Sequence, residues 1–337
     1  MPLTLRRGVV TAIREREEGL VRLEVDDAPC VAYPRLTGPV ALGDDVVVNV
    51  QARELGLGSG GFDVLLCNLT RGLGLPGDAG AHVMKLPYTP IQYAVRHGEE
   101  DLEPASELAG MVTVCCSLHS QVAPVCAALD GLRVAYVQVA GGALPVWLSD
   151  AVRELRRRGL ISFTVAVGPC FGGDVETVSA ASALGLAHAR GAEAAVCSIG
   201  PGVVGTGSRL GHGGLGVLEA FHAAAAMAGY PILAPRISQA DERERHLGLS
   251  HHTQAIQSLA LAQPRVGWPA SVPVPTDRPV SAEVVDASGW REACGDLPLS
   301  HMGRGPDDDP VFFEAAYAAG LVARREFDAK PWLPAAR

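Results

Sequence analysis

The residues able to do chemistry fall in a few short runs. Ser117-Leu118-His119-Ser120-Gln121 sets a histidine among polar neighbours, where an imidazole titrating near neutrality could move a proton. The alternative is a histidine that only caps a strand or helix end. His212, in Gly-His-Gly-Gly, has neighbours too small to cover its ring, and Asp174, closing Phe-Gly-Gly-Asp, is a candidate partner for either histidine. Gly141 and Gly142, Gly172 and Gly173, and the run 200–207 with Gly202, Gly205 and Thr206 could turn backbone N–H groups toward an anion. Gln121 and His251 are further candidate ligands, with Lys85 and Arg236 to balance charge.

Other chemistry is less well served. Gly200 to Gly205 satisfies G-x-G-x-x-G, but no acidic residue closes the next strand, and G-x-x-x-x-G-K-[ST] is absent, which argues against classical NAD and P-loop ATP sites. No G-x-S-x-G or H-E-x-x-H occurs. The consecutive His251 and His252 point about 100° apart on a helix and do not form an i, i+4 chelate. A divalent metal held by loop residues stays an open alternative. The run 241–246 reads as a solvated charged turn whose first residue could reach the pocket, and Asp307, Asp308 and Asp309 as an ordinary acidic helix start.

These residues need elements to hold them. MVTVCCSL, RVAYVQVA, ISFTVAVG, AAVCSIG and PILAPRIS are near-continuous apolar runs of strand length, as in strands buried on both faces. Helical stretches lie between them, around 121–131, 143–159, 174–192 and 215–230, and three of these end at a glycine placed as a C′ cap. Ser250 is the expected N-cap of a further helix, Pro310 opens a closing one, and SVPVP and SAEVVDAS could add edge strands. This alternation predicts a doubly wound, mostly parallel α/β sheet, whose ligand edge lies at the strands' carboxyl ends. The first 70 residues instead hold short Val- and Leu-rich runs broken by Gly, Pro and Asp, which predict a small antiparallel β-barrel. The expected organisation is a barrel over 1–70, a Gly/Pro-rich packed connector and linker over 71–110, and an α/β domain over 111–337.

The chain has 337 residues, 48% hydrophobic and 19% charged, with 28 Lys+Arg against 37 Asp+Glu and a formal net charge of −9. That composition describes a compact, soluble, mildly acidic protein and argues against general binding of nucleic acid, which wants clustered excess cations. No stretch has the roughly 18 apolar residues of a membrane span, and the N-terminus lacks the apolar core of a signal peptide, so the cytoplasm is the expected compartment. Eight scattered cysteines without a C-x-x-C pair read as small core residues. Lys85 and Lys330 are the only lysines beside 26 arginines, a skew that fits coding bias yet leaves Lys85 inside the specific run HVMKLPYTPIQ.

That run, with LGLGSGG, LHSQVAPV, GGALP, FGGD, GPGVVGTGSRLGHGGLG, RISQADERERHLGLSHHTQ and HMGRGPDDDPVFFEAAYAAG, resembles an uncharacterised bacterial family, a domain of unknown function found in actinobacteria and firmicutes. The resemblance covers nearly the whole chain and implies no activity. It also implies an acidic residue before G-G-A-L-P, where this sequence has Ala140. The expectation is a hydrolase or transferase acting on a small anionic or phosphorylated metabolite, in a protein that could form a homo-oligomer. The rival is a non-catalytic ligand-binding or regulatory module whose barrel recruits a partner.

Overall fold

A computed structural model describes residues 3–56, 60–277 and 279–329 and divides the chain into two compact units, 1–95 and 96–337. Lys330 lies outside the described residues.

In the first unit, β1 (Leu5–Glu17), β2 (Leu20–Val25), β3 (Ala28–Ala32), β4 (Asp45–Asn49) and β5 (Asp63–Asn68) close a barrel in the order β1-β2-β3-β5-β4. Alternate residues such as Val10, Leu23, Val46, Val48 and Leu65 point into its core. One pairing departs from the antiparallel expectation: β3 and β5 run parallel, because the connection through β4 returns the chain in the same direction. Two one-turn helices, α1 (Pro34–Thr37) and α2 (Gln51–Glu54), and the hairpin β6 (Val83–Lys85) and β7 (Tyr93–Val95) complete the unit. Arginines on β1 and β2 face carboxylates: Arg6 pairs with Glu54, Arg7 with Asp45, Arg14 with Glu24 and Arg22 with Glu15. They therefore form a mixed-charge face.

The second unit is built on eight parallel strands: β8 (Val112–Cys116), β9 (Val134–Val139), β10 (Phe163–Val167), β11 (Val175–Thr177), β12 (Ala194–Ile199), β13 (Tyr230–Ala234), β16 (Arg265–Pro269) and β17 (Ala282–Val285). Between β13 and β16 in the chain lies a separate two-stranded ribbon, β14 (Ile237–Ser238) with β15 (Gly248–Leu249). The sheet order is β11-β10-β9-β12-β8-β13-β16-β17. Its central strands are buried along their whole length, as the continuous apolar runs require. SVPVP forms no strand, whereas SAEVV supplies β17. Val175–Thr177, inside a stretch that reads as helix, is an edge strand instead, and α5 starts after it behind Ser179, whose side chain accepts from the Ser182 N–H.

Helices α3 (Val122–Ala128) and α4 (Asp150–Arg157) follow strands whose chain runs toward β11 and pack on one face. Helices α5 (Ala180–Ala189) and α6 (Val217–Ala226) follow the run in the other direction and cover the opposite face. Right-handed crossovers dictate this split. Gly131, Gly159 and Gly191 end the helical stretches with positive φ, as expected of C′ glycines. After α7 (His251–Leu259) and the short α8 (Trp290–Cys294), the long α9 (Pro310–Ala329) lies on the face that carries α3, with Gly267 of β16 against Ala319 and Gly320 against Val125. Among the described residues no helix is long and apolar enough to cross a membrane.

Candidate functional site

Along the carboxyl edge of this sheet the loops leave alternately for one face and the other over β9, β12, β8 and β13, so crevices can form between β9 and β12, between β12 and β8 and between β8 and β13. At each place neighbouring strands send their loops to opposite faces, which is where an open α/β sheet forms its crevice.

Between β9 and β12 the crevice is closed by the protein itself. A Cβ on Gly141 would fall on the Gly213 carbonyl, one on Gly142 on the Gly200 carbonyl, one on Gly200 on the Ala143 carbonyl and one on Gly216 on the Ala140 carbonyl. Loops 140–145 and 200–216 thus interlock backbone against backbone, and Gly141 sits at φ 141°, open to glycine and strained for other residues. His119 is built into the same junction. The Tyr136 hydroxyl donates to Gln138 Oε1 (3.0 Å), because Gln138 Nε2 is committed to the carbonyls of Ala143 and Leu144. Tyr136 oxygen, 3.3 Å from His119 Nδ1, and the Ile199 carbonyl at 3.3 Å are then acceptors, which fixes the imidazole proton on Nδ1. Nε2 accepts from Ser149 Oγ at 2.6 Å.

A serine donating to an imidazole has the outline of a nucleophile and its base. Here Ser149 is 2% exposed, and its Oγ already accepts from the Val152 N–H as N-cap of α4, so the pair acts as a strut. Burial holds the His119 imidazole neutral, with its pKa down at about 4.

At β8 and β13 the stitch is a side chain. Gln121, fully buried, accepts from the Leu118 N–H and donates to the carbonyls of Ala234 and Pro235. Beyond it the chain builds a polar nest. Arg236, 2% exposed, donates to Asp241 (3.0 Å), and Arg243 and Arg304 reach the same carboxylate at 2.8 and 3.3 Å. Arg304 also lies 3.5 Å from Asp309, which is fully buried and accepts from Ser238. Three guanidiniums thus converge on two carboxylates. Burial lowers the Arg236 pKa to about 10, and burial pushes the Asp241 carboxyl up, but the guanidiniums of Arg243 and Arg236 outweigh it and hold that group below the usual carboxylate range.

Against the arginines lies a cluster of imidazoles. His212 stacks on His252 with centroids 3.7 Å apart and planes 7° from parallel, and His246 and His251 stand 4.9 and 4.6 Å from His252. Burial, reinforced by the guanidinium charges, holds His212 neutral with a pKa of about 4, His246 about 3 and His252 about 2, and it lowers His251 too. His246 Nδ1 is held by Ser250 Oγ at 2.7 Å, and Arg236 approaches His252 Nδ1 at 3.4 Å. Among the described residues neither nitrogen of His212, which is 7% exposed, has a hydrogen-bond partner, nor has Nε2 of His251 or Nε of Arg236. Ser250, as expected, caps α7 by accepting from the His252 N–H. A cleft of about 580 Å³, lined in part by Arg245, Leu249, Gln254 and Asp277, opens onto His251.

The expected site residues therefore separate. His212, Arg236 and His251 come together in the nest. His119 and Gln121 are structural members of the crevice floor. Asp174 lies at the opposite, amino end of the sheet, bonded to Thr164 and Arg156, and is not brought to either histidine. Gly172 and Gly173 are close-packing positions against Trp147 and the backbone of Ala166. Gly205 and Thr206 start a small hairpin, with Thr206 N–H bonded to the Gly211 carbonyl and Gly205 bridged to His212. Gly202 stands in open space. Lys85 is buried in the first unit, at the end of β6. Asp241, His246 and Asp309 are buried, so the charged turn and the acidic helix start are corrected: both feed the nest. His252 and His301 are also buried, the latter stacked on Phe312 at 3.7 Å and contacting Ser120. The signal that could have found the nest is three histidines within seven residues, His246, His251 and His252.

No curated protein matches this sequence. A family model described as protein of unknown function (DUF3866) matches residues 29–320, which takes in the barrel from β3 onward and every strand of the α/β sheet, and the chain belongs to that family.

Proposed function

We propose that this protein is a cytoplasmic bacterial enzyme, a hydrolase or transferase, that binds a small anionic or phosphorylated metabolite in the nest beyond β13. The observation that carries this reading is the excess of positive charge around a buried pair of carboxylates: Arg236, Arg243 and Arg304 gather on Asp241 and Asp309, and among the described residues the buried Arg236 Nε has no acceptor. An anion would satisfy that charge, and planar guanidiniums recognise phosphate and carboxylate by paired N–H donors. Beside them His212 offers a neutral ring whose two nitrogens have no hydrogen-bond partner among the described residues. A bound anion raises the affinity of that ring for a proton, which moves it toward the range useful for acid–base work.

The test is a thermal-shift and calorimetric screen of inorganic phosphate and of small phosphorylated and carboxylated metabolites at millimolar concentration. Arg304→Gln and Arg236→Gln serve as variants, and phosphate release and hydrolysis of each binder are followed. Binding by at least one anion, lost in Arg304→Gln, with turnover lost in His212→Gln, supports the enzyme. Binding without turnover supports the ligand-binding module instead, and no binding by any anion sinks both readings.

A further inference from the structure

We infer that His246, His251 and His252 form a binding site for a transition-metal ion of the zinc class. Each ring offers one nitrogen, and the three lie within 4.8 Å of one another. With metal–nitrogen bonds of about 2.0–2.1 Å, ligand nitrogens on one ion are roughly 3.4 Å apart, so small side-chain rotations close the set. The chemistry of the donors also fits. Imidazole nitrogen is a common ligand of zinc-class ions. His246 has one nitrogen oriented by Ser250, as an outer partner orients a metal-bound imidazole, which leaves Nε2 to coordinate. His251 Nε2 is buried without a hydrogen-bond partner among the described residues, and the cleft at His251 gives an ion its route in.

The neighbours set the rest of the site. His212, stacked face to face on His252, has parallel in-plane lone pairs that do not converge with those of its neighbour on one ion, so it stands beside the site and not in it. Three protein ligands leave a fourth position open, which is the pattern of a catalytic rather than a structural centre. Arginine donates but does not accept, so its contact at His252 Nδ1 places that ring's proton on Nε2. At 3.4 Å this long contact gives way when the ring coordinates through Nε2, while Arg236 keeps Asp241. An anion held at the open position would then bridge metal and guanidinium. The inference rests on the anion-site reading only for that last feature, and its test reads metal alone, so either can fail without the other.

The experiment is to strip the full-length protein with chelator, dialyse it, add Zn²⁺ or Co²⁺ alone, and measure metal per chain and the visible d–d absorption of bound Co²⁺. One equivalent per chain with a four-coordinate Co²⁺ spectrum is expected. His251→Gln, at the half-buried position, should weaken binding by more than about 100-fold, beyond the 10–100-fold typical of outer partners. His246→Gln should do the same, and His212→Gln should stay within a factor of a few. Circular dichroism and thermal unfolding of each apo variant separate lost ligands from lost folding. Absence of stoichiometric metal in the wild-type chain, or uptake that survives His246→Gln and His251→Gln in folded protein, overturns the site.

Discussion

The two halves of the carboxyl edge solve the same geometric problem in opposite ways. Between β9 and β12, glycine backbones interlock and every functional-looking side chain, His119 included, has its hydrogen bonds filled. Beyond β13, large charged and aromatic side chains are buried with nitrogens left over. Buried polar groups without partners are costly, so the contrast between a region that satisfies them so fully and one that leaves them over is what supports the ligand site proposed at the second. Glycine density marked the closed half, and histidine and arginine density the open one.

The comparison can be broken where it is tightest. Gly141→Val adds a β-branched side chain at φ 141° directly onto the Gly213 carbonyl, and the expected loss is about 5 kcal/mol, enough to unfold a unit of ordinary stability. Expression yield and urea midpoints read this. Arg236→Met leaves Asp241 to Arg243 and Arg304, so the loss should fall near the low end for breaking a buried pair, about 3 kcal/mol. A wild-type midpoint in that variant would show that the nest contributes nothing to the fold.

Acid acts on both halves, since the nest imidazoles are lowered as His119 is, and the share of His119 is read by difference. His119 has its folded pKa depressed from 6.5 to about 4, so the unfolded chain takes up protons first. Stability is full above pH 6.5 and falls as pH drops toward 4, by about 1–2 kcal/mol at pH 5.5 from this group alone. His119→Gln should flatten that part of the profile, and an unchanged slope would remove His119 as its source. The smallest effect belongs to Gly202→Ala. Its φ of 72° disfavours a side chain but nothing stands within 4 Å, so the cost is about 1 kcal/mol against the large loss at Gly141. Equal costs at the two positions would contradict the interlock.

Much of the fold was legible because the signals were local. Continuous apolar runs gave β8, β9, β10, β12 and β13, and glycine and Ser250 set helix ends where they stand. The Val175–Thr177 strand was not legible, since three residues inside a helical pattern pair only because β10 offers an edge. Nor was the parallel β3–β5 contact, because turn residues say nothing about which strand is met across a barrel. The site was half legible. His212, Arg236 and His251 were found by type, but Asp241, His246 and Asp309 looked like surface charge because burial of an ion depends on partners up to about 70 residues away, as for Ser238 with Asp309. The glycines were ambiguous for a related reason: tight turning toward a ligand and close packing of two loops ask for the same residue.

The position of α9 has a consequence for how the molecule is made. This helix covers β8, β13 and β16 on the face it shares with α3, yet it follows every strand of the sheet in chain order. The first unit, residues 1–95, has all its strands in hand early and can form during synthesis. The second must hold an apolar sheet face open until its last helix arrives, and that waiting interval is where a chaperone would bind and where slow or truncated synthesis would lead to aggregation.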